Sequence, residues 1–147
     1  RIPATIGPHL SHGVIKDIIR KINESSEITL FGKEPGSKKP FLHISDLCNA
    51  LMDIITEKKY GDFDLSPEDN LSVLEIAEIV SELLNKKIQI NWSNETWPGD
   101  DNVISIKPKI PTSLNSRQAV IETVKYYIST TPRGTSANKI IYADREE

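Results

Sequence analysis

Apolar residues near the start of the chain recur at helical spacing. Val14, Ile15, Ile18, Ile19 and Ile22 share one face of a 3.6-residue repeat, with Lys16, Asp17, Arg20 and Lys21 opposite. This predicts a helix over residues 11–23. Residues 28–31 are short and β-prone, and Gly32 ends them before a polar loop, 33–39, that carries Pro35 and Gly36. A second short strand is expected over 41–44. Ser45 and Asp46 can then cap a helix running to Lys58, whose apolar face is Leu47, Ala50, Leu51, Ile54 and Ile55.

The pattern continues with a third candidate strand over 61–65 and a turn over 66–70. Ser72 with Glu75 three residues on is a capping box. Val73, Ile76, Ala77, Val80, Leu83 and Leu84 make one apolar stripe behind it, so a helix starts there. Residues 87–91 alternate as a strand, and 92–109 are irregular, with Pro98, Gly99 and Pro108. A last helix is expected over 115–129, burying Val120, Val124, Tyr127 and Ile128. The tail, 132–147, is polar except for 139–142, which reads as a stray strand or as disorder. The order is helix–strand–strand–helix–strand–helix–strand–helix: a mixed α/β (α+β) domain over 1–131, with about four helices and strands too few for a self-sufficient sheet.

Composition narrows the function. The 147 residues suit one compact domain. The formal charge of -3 comes from interspersed acids and bases, with no basic stripe to meet a row of phosphates, so nucleic acid is not an expected partner. Apolar runs of a few residues are far short of a membrane span, and no signal pattern opens the sequence, so a membrane is not expected either. Cys48 stands alone and falls in an apolar helical pattern, where a buried thiol acts as a small hydrophobe. A cytoplasmic location follows.

Candidate chemistry is sparse. None of the seven glycines forms G-x-G-x-x-G or a near variant. A tyrosine base needs a lysine four residues later to lower its pKa. Tyr60, Tyr126, Tyr127 and Tyr142 are followed at that spacing by Asp64, Thr130, Thr131 and Glu146. His9 and His12 have metal-ligand spacing but no third ligand nearby, and no metal is expected. His43, Ser45 and Asp46 have the letters of a nucleophilic triad, yet sequence neighbours at a strand-to-helix junction do not build its geometry. Trp92 and Trp97 can stack on a base or cover the core, and covering the core is the commoner role.

Taken in order, the segments 1–8 (Arg-Ile-Pro-Ala-Thr-Ile-Gly-Pro), 28–32 (Ile-Thr-Leu-Phe-Gly), 36–47, the helix opening at Ser72 and Trp97-Pro98-Gly99-Asp100 resemble extended short-chain dehydrogenase/reductases. These are the NAD-dependent epimerase/dehydratase enzymes, and the resemblance spans residues 1–128. It implies the C-terminal, substrate-binding lobe of such an enzyme, without the N-terminal Rossmann sheet that holds NAD and the Tyr/Lys base. The chain alone would then bind no cofactor and carry no catalytic residue. Its ligand would be a nucleotide-sugar, UDP-sugar first. The resemblance places Leu30 and Phe31 at the base, Lys39 at the diphosphate and Asp100 at a ribose hydroxyl. Segments matching 1–2 and 61–65 would adjoin the missing sheet, which implies open strand edges and pairing with the missing half or with further copies. There are departures. The family commonly has Asn at Ala4, an aromatic at Ile6, Arg at Lys39 and Arg at Trp97, and its Gly-Trp-x-Pro segment is not recognisable. They leave room for a non-catalytic binding or assembly module descended from such an enzyme, and a third reading is an α/β interaction domain of accidental similarity.

Overall fold

The computed structural model describes residues 1–95 and 109–130. Along them run β1 (Ala4–Ile6), α1 (Val14–Glu24), β2 (Glu27–Leu30), β3 (Lys38–Lys39), β4 (Phe41–His43), α2 (Ile44–Thr56), β5 (Asp64–Leu65), β6 (Leu71–Ser72), α3 (Val73–Leu84), β7 (Gln89–Trp92), β8 (Lys109–Ile110) and α4 (Ser116–Thr130). The mixed α/β order is the one the pattern predicts, with four short strands added, β1, β3, β6 and β8. The polar loop contains β3, which pairs antiparallel with β6, and the irregular stretch ends in β8, which pairs parallel with β5. Two-residue strands carry no readable alternation, so only their partners reveal them.

The strands form four separate two-stranded pieces, β1–β4, β2–β7, β3–β6 and β5–β8. Helices, not a sheet, therefore hold the domain together. Ile15, Ile18 and Ile22 of α1, Ile76, Ala77, Ile79 and Val80 of α3, and Ala119, Val120 and Val124 of α4 form the main core with Ile28 and Leu30 of β2. A smaller core joins Leu42 of β4, Ala50 of α2 and Leu65 of β5.

Each helix shows why it starts where it does. Before α1 stands Gly13 at φ 109°, with no side-chain cap, and Ser11 instead bonds His12, so the helix begins three residues later than the pattern suggests. The capping box of α3 is complete: Glu75 N donates to Ser72 Oγ at 3.2 Å, and Ser72 N donates to Glu75 Oε2 at 2.8 Å. At α4, Asn115 and Gln118 exchange reciprocal bonds of 3.0 and 2.8 Å, and Asp69 accepts from the amides of Ser116 and Arg117 at 2.7 and 3.2 Å. Those carboxylate and amide oxygens take up the donors that a helix start leaves free.

The structure corrects four expectations. The cap of α2 is His43, whose ring nitrogen accepts from Ser45 N, and not Ser45. Asp46 turns instead towards the segment before α4. Cys48 is exposed, as are Leu51 and Ile55, because α2 lays its Leu47–Ala50 side on the small core and turns the other outward. On α4 the buried face is rotated to Ala119, Val120, Thr123 and Val124, leaving Ile128 exposed. The edge expected to be open at 61–65 is paired in part within the chain: Leu65 N donates to Arg1 O at 2.9 Å, and β5 adjoins β8. The tail and its 139–142 segment lie outside the described residues.

Candidate functional site

The parallel strands β2 and β7 are paired from Glu27↔Gln89 to Leu30↔Trp92 and end side by side. Beyond them the two chains lace together: Ser93 N donates to Leu30 O at 3.0 Å, Gly32 N to Ser93 Oγ at 3.1 Å, and Asn94 N to Gly32 O at 2.9 Å. The loop that follows is strapped to the start of α3 by Leu74 N, which donates to Pro35 O at 3.1 Å. Gly36 sits there at φ 81°, and a Cβ on it would lie 2.7 Å from Val73 Cβ and 3.4 Å from the Trp92 ring. Only glycine allows that approach with that backbone. Trp92 thus covers the core and the loop, in keeping with its packing role.

On the opposite edge of β2 runs an open groove of about 390 Å³, lined by Lys21 and Glu24 of α1, by Thr29 to Phe31, and by Ser93. Lys21 Nζ reaches Thr29 O at 3.0 Å and Asp17 at 2.9 Å, so an ammonium tethers the strand edge. Asp17 loses hydration by burial, yet its bonds to Lys21 and Arg20 outweigh that and hold its pKa below the ordinary value. Lys21 reads from the sequence as a solvent-facing helix residue, and no motif marks it as a groove residue.

The four residues singled out from the resemblance fall as follows. Leu30 is buried, and its carbonyl is the acceptor for Ser93, so the strand turns it towards β7. Phe31 stands past the end of β2, is largely exposed and lines the groove. Lys39 is half-buried in β3, opposite Leu71. Asp100, with Trp97 and the rest of the Pro-Gly-Asp segment, lies outside the described residues. Lys38, the other residue of β3, is exposed and lowers the pKa of Glu75, whose main influences are the bonds from the Ser72 backbone and hydroxyl.

The other chemistry-bearing residues have structural partners. His9 bonds the Tyr126 hydroxyl through Nε2 at 2.9 Å, and His12 bonds Ser11. His43 and Ser45 are 2.7 Å apart, but both carboxylate oxygens of Asp46 accept from Ser113 and Leu114, so no relay forms. Burial raises the pKa of Tyr127, whose hydroxyl donates to Leu10 O, which is the wrong direction for a base at neutral pH. The turn after β1 is closely packed: a Cβ on Gly7 would lie 2.5 Å from Ile44 Cγ2. No helix of the described residues is long and apolar enough to cross a membrane.

Comparison with known proteins places this arrangement. No family model matches the chain. A curated relative, dTDP-4-dehydro-6-deoxy-D-allose reductase of Streptomyces bikiniensis, is 26% identical over 77 residues, which is 52% of this chain and 23% of the reductase. Among solved structures, a UDP-glucose 4-epimerase of Thermus thermophilus, in complex with NAD, superposes with a TM-score of 0.71 at 15% identity. The match covers 89% of this chain and 46% of the epimerase. A UDP-galactose 4-epimerase superposes with a TM-score of 0.69 at 22% identity, over 88% of this chain and 44% of that one.

The class so defined is the extended short-chain dehydrogenase/reductase fold, of which this chain has a mixed α/β part. It spans less than half the length of the epimerases it matches, and resembles the NAD-dependent epimerase/dehydratase family in structure as it does in motif.

Proposed function

We propose that the chain is the nucleotide-sugar-binding, C-terminal lobe of an NAD-dependent epimerase or dehydratase of the cytoplasm, and is inactive without an NAD-binding half. The observation that carries this reading is the site at the end of β2. Thr29 to Phe31 line an open groove at the edge of β2, and the loop that follows them leads to a half-buried lysine, Lys39. Directional backbone groups suit the edge of a base, and an ammonium suits a diphosphate. Phe31 is assigned to the base and Lys39 to the diphosphate, with Asp100 accepting from a ribose hydroxyl. Leu30 contributes by fixing the strand against Ser93, which holds the edge in place.

NAD supplies hydride transfer in the enzymes of this fold, and here no G-x-G-x-x-G motif occurs and no tyrosine is followed by a lysine four residues later. What the chain's own residues do is bind and orient, which in such a division of labour lowers the entropic part of the barrier. Calorimetry with UDP-glucose, dTDP-glucose and GDP-mannose tests the binding, and an NADH assay of the same preparation tests the inactivity. Saturable binding of one nucleotide-sugar with no NADH formed is expected. Absence of any binding would leave the reading without support, and NADH formation above background would contradict the inactivity.

A further inference from the structure

We propose that Lys21 is a specificity-determining residue of the groove beside β2, selecting a base with a carbonyl oxygen at its 4-position, uracil or thymine, over the 4-amino base cytosine. The inference rests on the nucleotide-sugar reading above and adds to it which base is held and by which side chain. Two backbone bonds fix the way the strand faces. Ser26 O accepts from Gln89 N at 2.7 Å and Leu30 O from Ser93 N at 3.0 Å, so these groups are turned to β7. Alternate residues of a parallel strand bond the same neighbour, so the backbone groups of Glu27, Thr29 and Phe31 are turned to the groove. The acceptor in the middle of that edge is taken, because Lys21 Nζ donates to Thr29 O at 3.0 Å. The polarity of the spot is thereby inverted. A carbonyl that would accept from a base N–H is replaced by an ammonium, which can only donate.

The ammonium is held in place from α1, where Asp17 Oδ2 lies 2.9 Å from it. Two of its three donors are thus spent, and among the described residues no partner takes the third. The two carboxylates of the groove each have a partner already: Glu24 accepts from Arg20 at 2.8 Å and Glu27 from Asn91 at 2.6 Å. Lys21 is therefore the side chain with a donor to offer at the middle of the strand. The direction in which a base enters follows from the chain. Thr29 precedes Phe31, and the loop beyond Phe31 leads to Lys39, the residue assigned to the diphosphate. The ribose accordingly lies at the Phe31 and Ser93 end, and the edge of the base farthest from it points back to Thr29 and Lys21. On a pyrimidine that edge carries the 4-substituent. A 4-oxygen accepts from the ammonium, whereas a 4-amino group sets N–H against N–H and leaves the ammonium without an acceptor. The groove, at about 390 Å³, is near the small end of ligand sites, in keeping with a subsite for a base.

Calorimetry of the whole chain with UDP and with CDP tests the assignment. UDP is expected to bind at least about 10-fold more tightly than CDP, the lower range for a hydrogen bond to a charged group. Lys21→Met is expected to bring the two within about threefold of each other, mainly by weakening UDP. Lys21→Arg, which keeps the charge and the donors, is expected to keep the preference. A UDP analogue whose base is 2-pyrimidinone lacks the 4-oxygen and needs no variant protein, and it is expected to bind the unaltered chain as weakly as CDP does. Equal affinities for UDP and CDP, a preference that survives Lys21→Met, or an analogue that binds as UDP does would each overturn the role of Lys21 while the nucleotide-sugar reading stands. Binding of neither nucleotide overturns both.

Discussion

The carboxylate of Asp46, in the first turn of α2, accepts from the backbone N–H of Ser113, 67 residues away, at 3.0 Å and from that of Leu114 at 3.1 Å. One side chain thereby ties the start of α2 to the approach of α4. Asp46 is buried, while Ser113 is exposed and Leu114 half-buried. Asp46→Ala is expected to cost about 1.5–3 kcal/mol, because it removes a charged acceptor shared by two backbone N–H groups and the Ser113 hydroxyl. Asp46→Asn, which keeps one acceptor oxygen, is expected to cost roughly half as much by the same reasoning. Urea denaturation of the two variants measures the difference, and equal, negligible losses would mean that the junction holds without this group.

The same carboxylate gives a pH dependence. Burial opposes its ionisation, but the bonds from the Ser113 hydroxyl and amide and from Leu114 prevail, and its pKa lies below the ordinary value. Bonds from Ser72 do likewise for Glu75. A carboxyl whose folded pKa is depressed contributes stability that is present above its unfolded pKa of about 4 and is lost as pH falls through the folded value. Stability is therefore expected to fall as pH drops below about 4, and to fall less steeply in Asp46→Asn. Thermal melts across that window read the slope, and an unaltered slope in the variant would remove Asp46 as a cause.

Gly36 offers a test of the loop. Its φ of 81° disfavours any side chain, and Val73 occupies the space a Cβ needs. Gly61 has φ 124° with nothing within 4 Å of the same atom. Both alanine variants incur backbone strain of about 1–2 kcal/mol. Gly36→Ala is expected to be the more costly, since it must also push the loop off α3, and to weaken nucleotide-sugar binding where Gly61→Ala does not. Chemical denaturation and calorimetry compare the pair, and a Gly36→Ala protein with unaltered stability would show that the strap at Pro35 is not needed.

Long, periodic segments were legible in the sequence because one residue type repeated on one face. The capping box at Ser72 and Glu75 fixed the start of α3 for the same local reason. What stayed hidden was set by partners far along the chain. Asp46 has the sequence context of a helix cap, and its acceptors' mates lie at residues 113 and 114. Residues 38–39 form a strand only because residues 71–72 lie beside them. On α2 both faces are apolar, so periodicity gave a broad stripe and could not choose which half faces the core. Of the proposed site, Lys39 was singled out by motif order alone, whereas Lys21 joins the groove through its bond to Thr29, for which no local pattern exists.

The alternation of β3 separates two adjacent lysines. Successive side chains of a strand point to opposite faces, and here Lys38 is exposed near the Glu75 carboxylate while Lys39 is half-buried. Charge in the field of a carboxylate is already partly neutralised, so Lys38 has less to offer a diphosphate. Among the described residues Lys39 has no ion-pair partner. A charge-assisted bond to a phosphate oxygen is worth about 1.5–3 kcal/mol, or roughly 10- to 150-fold in affinity. Lys39→Ala is therefore expected to weaken UDP-glucose binding by that factor, and Lys38→Ala by less than about threefold, the order of an exposed surface charge. Lys39→Arg keeps the charge and adds a fork that can hold two phosphate oxygens, so it is expected to bind at least as well as the wild type. Calorimetry at two salt concentrations separates the cases: a general field of loop charge gives equal losses for both lysines that vanish together at high salt, and that outcome would remove Lys39 from the site.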